Sequence, residues 1–302
     1  MCKNLSHLGE GHKKGLSQAG LAGPDCPALQ WKRRTHLQMV DLHCHFLPGI
    51  DDGARDEGEC AAMLELAAAS GTTHLVATPH ADTRFRFESA AAGHLLEKVR
   101  STAPPGLSLY LGCDFHLMHD NIVDALVHPR RYTLNGSRYL LVELSNQVIL
   151  PNTGEMFDRL EQAGLRIIIS HPERNPILHQ RPELIDQWVD QGRYLQVTAA
   201  ALTGLWGRKV QSFAQRLLDG GMVHFVASDG HGPNVRPPRL DQARVRVEGR
   251  YGSDFATLLF VENPLAVIED RPLAEPQVIV RKSFASRVGA LRRVFRPGRS
   301  VS

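Results

Sequence analysis

The chain contains no apolar run of the roughly twenty residues that a membrane-spanning helix needs, and its opening, MCKNLSHLGEGHKK, lacks the apolar centre of a secretory signal. Nor is one sign of charge in excess. The 35 lysines and arginines against 32 acidic residues leave +3, so neither a nucleic-acid nor a membrane partner follows from the total. The five cysteines (Cys2, Cys26, Cys44, Cys60, Cys113) form no Cys-x-x-Cys pair. They read as free thiols of a reducing compartment, here the cytoplasm. The remaining composition, 42 % hydrophobic and 22 % charged, is that of an ordinary globule of one or two domains. The unusual residue is histidine, 15 in all, and its placement carries the argument.

Composition changes near Leu37. Residues 1–38 are rich in Gly, Lys, His and Ser with no sustained period, which reads as a disordered extension. Met39 opens an apolar strand directly and could be the true initiator. Residues 281–302 are basic and poor in apolar residues, a tail with at most a short amphipathic helix. The catalytic domain is thus expected over 39–280. Within it, buried-strand patterns at 40–44, 74–77, 107–111, 139–144, 165–170, 194–198 and 223–227 alternate with helical patterns at 59–69, 90–99, 153–163, 182–191, 209–218 and 241–250. Gly71, Gly164, Gly192 and Gly220 fall just past helices, as terminating glycines should. Seven strands with interleaved helices predict an α/β fold, a closed or nearly closed parallel barrel, in preference to an open doubly wound sheet.

Most of the polar clusters lie at the downstream ends of these strands, the rim where parallel α/β proteins bind ligands. In His43-Cys44-His45, residues two apart share a face, so both imidazoles point inward as half of a transition-metal site. The turn that follows holds Asp51 and Asp52; one can supply a hard oxygen ligand and the other a turn contact. Pro79 cannot donate to a ladder, so the second strand is expected to stop there, with His80 at the rim. Asp114 closes the third strand, where a buried carboxylate is costly unless paired or metal-bound. His116 lies on the same face, in a supporting place, and His119 in solvent. His171 ends RIIIS, and Asp229 and His231 end VHFVAS, again two apart. Arg174 and Arg236 each follow a candidate ligand by a few residues. Their forked guanidinium groups match phosphate oxygens bidentately, and ion pairing is the plainer alternative.

Taken in order, VDLHCHFLPGIDDGA, VATPH, GCDFH, SHPERN, VASDGH with NVRPP, and VENPLAVI resemble the bacterial tyrosine phosphatases of the polymerase-and-histidinol-phosphatase (PHP) superfamily, the manganese-dependent enzymes of capsule and exopolysaccharide loci. The resemblance runs from Met39 to about Ile268. It implies a distorted seven-stranded (β/α)7 barrel with a three-metal centre of Mn²⁺, with Fe or Zn²⁺ as alternatives. It implies as ligands His43, His45, Asp52 or Asp51, His80, Asp114, His171, Asp229 and His231, with Arg174 and Arg236 on the phosphate. Asp114 stands where the family usually has Glu, one methylene longer, and the first 38 residues lie outside the family pattern. The implied partner is a tyrosine-phosphorylated protein, the tail of a bacterial tyrosine kinase, with no nucleic acid and no membrane insertion.

Residue chemistry and resemblance agree on hydrolysis of a phosphate ester by a metal-bridging hydroxide, with two arginines clamping the phosphate; that the ester is phosphotyrosine is implied by the resemblance. A thiolate route is excluded by spacing. The sixth residues after the five cysteines are Leu8, Lys32, Ile50, Leu66 and His119, and Arg33 misses the Cys-x5-Arg interval after Cys26 by one. The alternatives are a histidinol-phosphate or other small phosphomonoester phosphatase, a polymerase-associated exonuclease, an amidohydrolase, and a non-catalytic kinase-binding scaffold. The modest charge argues against the exonuclease, and the absence of a mid-barrel lysine against the amidohydrolase. Glu143, the one carboxylate in the middle strands, is left open as a ligand or an arginine's partner.

Overall fold

A computed structural model describes residues 38–273; the N-terminal extension, with Cys2 and Cys26, and the basic tail lie outside them. The first apolar run forms β1 (Met39–Cys44), buried throughout. After it come α1 (Glu57–Ala69), β2 (Thr72–Ala77), β3 (His80–Ala81), α2 (Ser89–Arg100), β4 (Ser108–Leu111), β5 (Asp114–His116) and α3 (His119–Val127). The middle of the chain adds β6 (Tyr139–Glu143), α4 (Thr153–Gln162), β7 (Arg166–Ser170), α5 (Pro176–Gln180), α6 (Glu183–Asp190) and β8 (Tyr194–Thr198). The last part holds α7 (Ala199–Thr203), α8 (Gly207–Asp219), β9 (Phe225–Ala227), α9 (Asp241–Tyr251), α10 (Ser253–Thr257) and α11 (Asn263–Ile268). Among the described residues no helix is long and apolar enough to cross a membrane.

All strand pairs are parallel, in two sheets ordered β1–β2–β4 and β3–β5–β6–β7–β8–β9. Parallel strands covered by helices are apolar on both faces, which is why they read as continuous runs. Alternate residues divide between two cores. Leu140, Val142, Ile167 and Ile169 join the large cluster beneath the helices, whereas Tyr139, Leu141, Ile168 and Phe225 join a smaller one with Val40, Leu42 and Val76.

As expected, the second strand stops before Pro79, β2 ending at Ala77. At this kink the chain passes to the other sheet, where His80 of β3 pairs with Asp114 of β5, and a second kink at Gly112-Cys113 separates β4 from β5. Bonding continues across both kinks, from Thr78 N to Cys44 O (2.9 Å), Gly112 N to Ala77 O (2.7 Å) and Asp114 N to Pro79 O (3.1 Å). A Cβ on Gly112 would lie 2.6 Å from Leu134 Cδ2, so a side chain at this kink would require Leu134 to move. At the far end, Asp229 N donates to His43 O and His45 N to Gly230 O, both at 2.8 Å, so the segment after β9 runs beside β1.

Helix positions match expectation to within a residue or two, and α1 starts earlier because Asp56 caps it by accepting from Glu59 N. One glycine assignment is corrected. Gly220 is right-handed, and the left-handed turn before β9 falls on Gly221 (φ +66°). The helices α3, α5, α7, α10 and α11 are too short, or too irregular in period, to have been read from the sequence.

Candidate metal centre

The kinked strands and the β1–β9 junction bring the polar strand ends to one place. On strict alternation His43 would sit opposite Leu42, which packs in the smaller core. A register irregularity between Asp41 and Cys44 changes the phase, so Cys44 packs in the outer core and His43 and His45 share the site. His43 Nδ1 donates to Gln196 Oε1 at 3.0 Å and His45 Nδ1 to Asp51 Oδ2 at 2.7 Å, while the two Nε2 atoms approach to 3.1 Å. Each ring therefore spends its proton on an outer partner and turns a lone pair toward the other's. Such an arrangement suits a cation between them.

Asp51 and Asp52 separate by role. Asp51 is taken up by His45, by Gly53 N (2.9 Å) and by His80 N (3.2 Å), so it orients a candidate ligand. Asp52 Oδ1 lies 3.2 Å from His80 Nε2 and 3.4 Å from His231 Nε2. Hydrogen bonds from His231 and then His80 hold its carboxyl well below the usual range. The turn folds back so closely that a Cβ on Gly53 would be 1.9 Å from His45 O.

Asp114 is fully buried, and neither of its oxygens has a hydrogen-bond partner; its Oδ2 lies 3.2 Å from His80 Nδ1 and 3.5 Å from His43 Nε2. Burial alone would raise its pKa, and the His43 and His80 rings outweigh burial and hold it low. Glu143 reaches the same space. Its Oε2 is 3.0 Å from His116 Nε2 and 3.7 Å from His80 Nδ1, and its Oε1 is 3.9 Å from His171 Nε2. Burial, and then the Asp114 charge, push Glu143 up. Against burial, the same carboxylates with Asp52 raise His80 to about 11, whereas burial lowers His45 and His171 and takes His231 to about 4.

Among the described residues, four overlapping groups have ligand atoms within 4.8 Å of one another: His45, Asp52, His80 and His231; His80, Asp114, His116 and Glu143; His43, Asp114 and His171; and His43, His45 and Asp229. Each residue expected at the site is thus brought to it, and Asp51 stands behind. His116 and Glu143 prove to lie inside one group. Buried oxygens without donors and imidazoles showing lone pairs fit divalent cations held by mixed nitrogen and oxygen donors.

Asp229 joins this centre to the arginines. Its Oδ1 faces His43 Nε2 (3.3 Å), His231 Nδ1 (3.4 Å) and His45 Nε2 (3.6 Å), and its Oδ2 pairs with both Arg174 and Arg236. Asp229 (φ +52°) and His171 (φ +31°) are two of only four non-glycine residues with positive φ among the described residues; such backbone persists where the surroundings over-determine it. Two supports were missed in the sequence, Gln196 behind His43 and Asp41, whose Oδ1 accepts from Ser228 N at 2.9 Å. Both were visible as polar residues within otherwise largely apolar strands. Cys44 is buried, which pushes its thiol well above the ordinary range, so it is no nucleophile.

Residues 39–269 match the family described as Capsular polysaccharide synthesis, CpsB/CapC. The chain belongs to this family. It is similar to the tyrosine-protein phosphatase YwqE of Bacillus subtilis, 29 % identical over 252 residues that cover 82 % of this chain and 98 % of YwqE. It is also similar to the putative tyrosine-protein phosphatase CapC of Staphylococcus aureus, 32 % identical over 208 residues, 68 % of this chain and 81 % of CapC. Among solved structures it matches one from a study of YwqE from B. subtilis and CpsB from Streptococcus pneumoniae, described as metal-dependent tyrosine phosphatases. The TM-score is 0.71 and the identity 27 %, covering 78 % of this chain and 96 % of that one.

Proposed function

We propose that this member of the CpsB/CapC family is a metal-dependent protein-tyrosine phosphatase acting on the phosphorylated tail of a bacterial tyrosine kinase. The observation that carries the reading is Asp229, with one oxygen among the imidazoles and the other on two arginines. Names of relatives matched over nearly their whole length support it. We read the two sheets as one distorted seven-stranded barrel of the PHP type, because β2 with β3 and β4 with β5 each continue through a kink and the segment after β9 bonds to β1. The described cysteines are free, in keeping with a cytoplasmic enzyme.

In this reading the ligands are His43, His45, Asp52, His80, Asp114, Glu143, His171, Asp229 and His231, with His116 against Glu143 and Asp51 holding His45. The donor set suits up to three ions, Mn²⁺ foremost and Fe or Zn²⁺ as alternatives. Bound cations supply Lewis-acid polarisation of the phosphoryl oxygens and lower the pKa of an attacking water. The protein's own part is positional. Gln196 and Asp51 fix the two imidazoles of β1. Arg174 and Arg236, only partly exposed, present guanidinium N–H groups to the phosphate and counter the charge on its oxygens.

Metal-loaded protein should hydrolyse a phosphotyrosine peptide far faster than histidinol phosphate; the reverse preference would transfer the reading to a small-molecule phosphatase. The catalytic unit is taken as residues 39–280. A chain starting at Met39 should therefore keep the metal content and turnover of the full chain, and a metal-poor or insoluble product would place part of the fold upstream.

A further inference from the structure

Arg174 and Arg236 share an aromatic ring as well as a carboxylate. Arg174 Cζ lies 4.4 Å and Arg236 Cζ 5.4 Å from the centre of the Trp206 ring, so one indole serves both cations. Trp206 comes from the short turn between α7 and α8, just before Gly207, whose φ of +83° bends the chain there. The tryptophan is 37 % exposed, an unusual place for so large an apolar surface unless something uses it.

Two guanidinium groups that converge on a single carboxylate oxygen repel one another, and Asp229 Oδ2 can answer only part of that charge. Its other oxygen already faces three imidazoles. An indole face attracts cations through its quadrupole. Unlike a second carboxylate it takes none of their N–H donors, which stay free for an anion.

We propose that Trp206 is a positioning residue whose ring holds Arg174 and Arg236 side by side, at the spacing that receives one phosphoryl group. The inference rests on the two-arginine reading of the phosphate site. It assigns a role to a residue outside the candidate ligand groups.

The test uses the full metal-loaded chain with Trp206→Leu, which keeps apolar bulk without a π face, and Trp206→Phe, which keeps a π face. Calorimetric titration with inorganic phosphate, metal content, and kcat and KM on phosphotyrosine peptide are measured for each. Trp206→Leu should weaken phosphate binding about tenfold, in line with two partly exposed cation–π contacts, and lower kcat/KM by a similar factor. Trp206→Phe should recover to within about threefold, and metal content should hold in both. Equal phosphate affinity in wild type and Trp206→Leu would overturn the proposal. So would equal losses in the Leu and Phe variants, or loss of metal in both, since either would make Trp206 mere packing. If the wild type binds phosphate but leaves phosphotyrosine intact, the phosphatase reading falls, and the contrast between Leu and Phe still decides the role of Trp206.

Discussion

Chelator treatment should abolish phosphatase activity, by roughly a thousandfold or more, and added Mn²⁺ should restore it. The magnitude follows from asking bound cations for several kcal/mol of transition-state stabilisation. Cys44 and the arginines do not replace that contribution. Cys44 is buried with a raised pKa, and the arginines carry charge without a nucleophile. The fully buried Asp114, with neither oxygen hydrogen-bonded, and the two Nε2 atoms at 3.1 Å describe a centre whose balance needs positive charge. Elemental analysis of the active protein should find more than one ion per chain. A preparation with no metal and full turnover would end the metal-dependent reading.

Replacing His45 or Asp229 by Ala should lower both metal content and activity, whereas Arg236→Ala should retain metal and lose roughly 10²–10³ in kcat, the usual cost of one preorganised charge stabiliser. The structure explains why the two effects separate. Arg236 shares Asp229 Oδ2 with Arg174, so removing one guanidinium leaves the other to hold the carboxylate, and Oδ1 keeps its place among the imidazoles. Removing both should loosen Asp229 and reduce metal content as well. The comparison requires metal content and turnover from the same preparations. Full activity of Arg236→Ala on phosphotyrosine would mean that phosphate recognition rests on the cations alone.

The sequence by itself determined which residues are candidates and on which strand ends they lie. Alternation and apolar runs located the principal strands and helices, because strands of a parallel sheet must be apolar on both faces and helices between them must show a 3.6-residue stripe. Asp114 was legible as a carboxylate that would be costly to bury without a partner, and His43, His80, His171 and Asp229 as His and Asp residues gathered at strand ends. Tertiary structure decided how they meet. Pro79 marked its own kink, whereas the phase change between Asp41 and Cys44 and the kink at Gly112 depend on strands far apart in sequence, which local propensity does not encode. The same holds for the different duties of Asp51 and Asp52. The two are neighbours of one residue type in one turn, and only the position of His45 Nδ1 behind one and of the His80 and His231 rings before the other tells them apart. Glu143 needed the fold to choose between ligand and ion pair. Arg174 and Arg236, 62 residues apart in the chain by their numbers, could be paired on Asp229 and Trp206 only once the rim had closed.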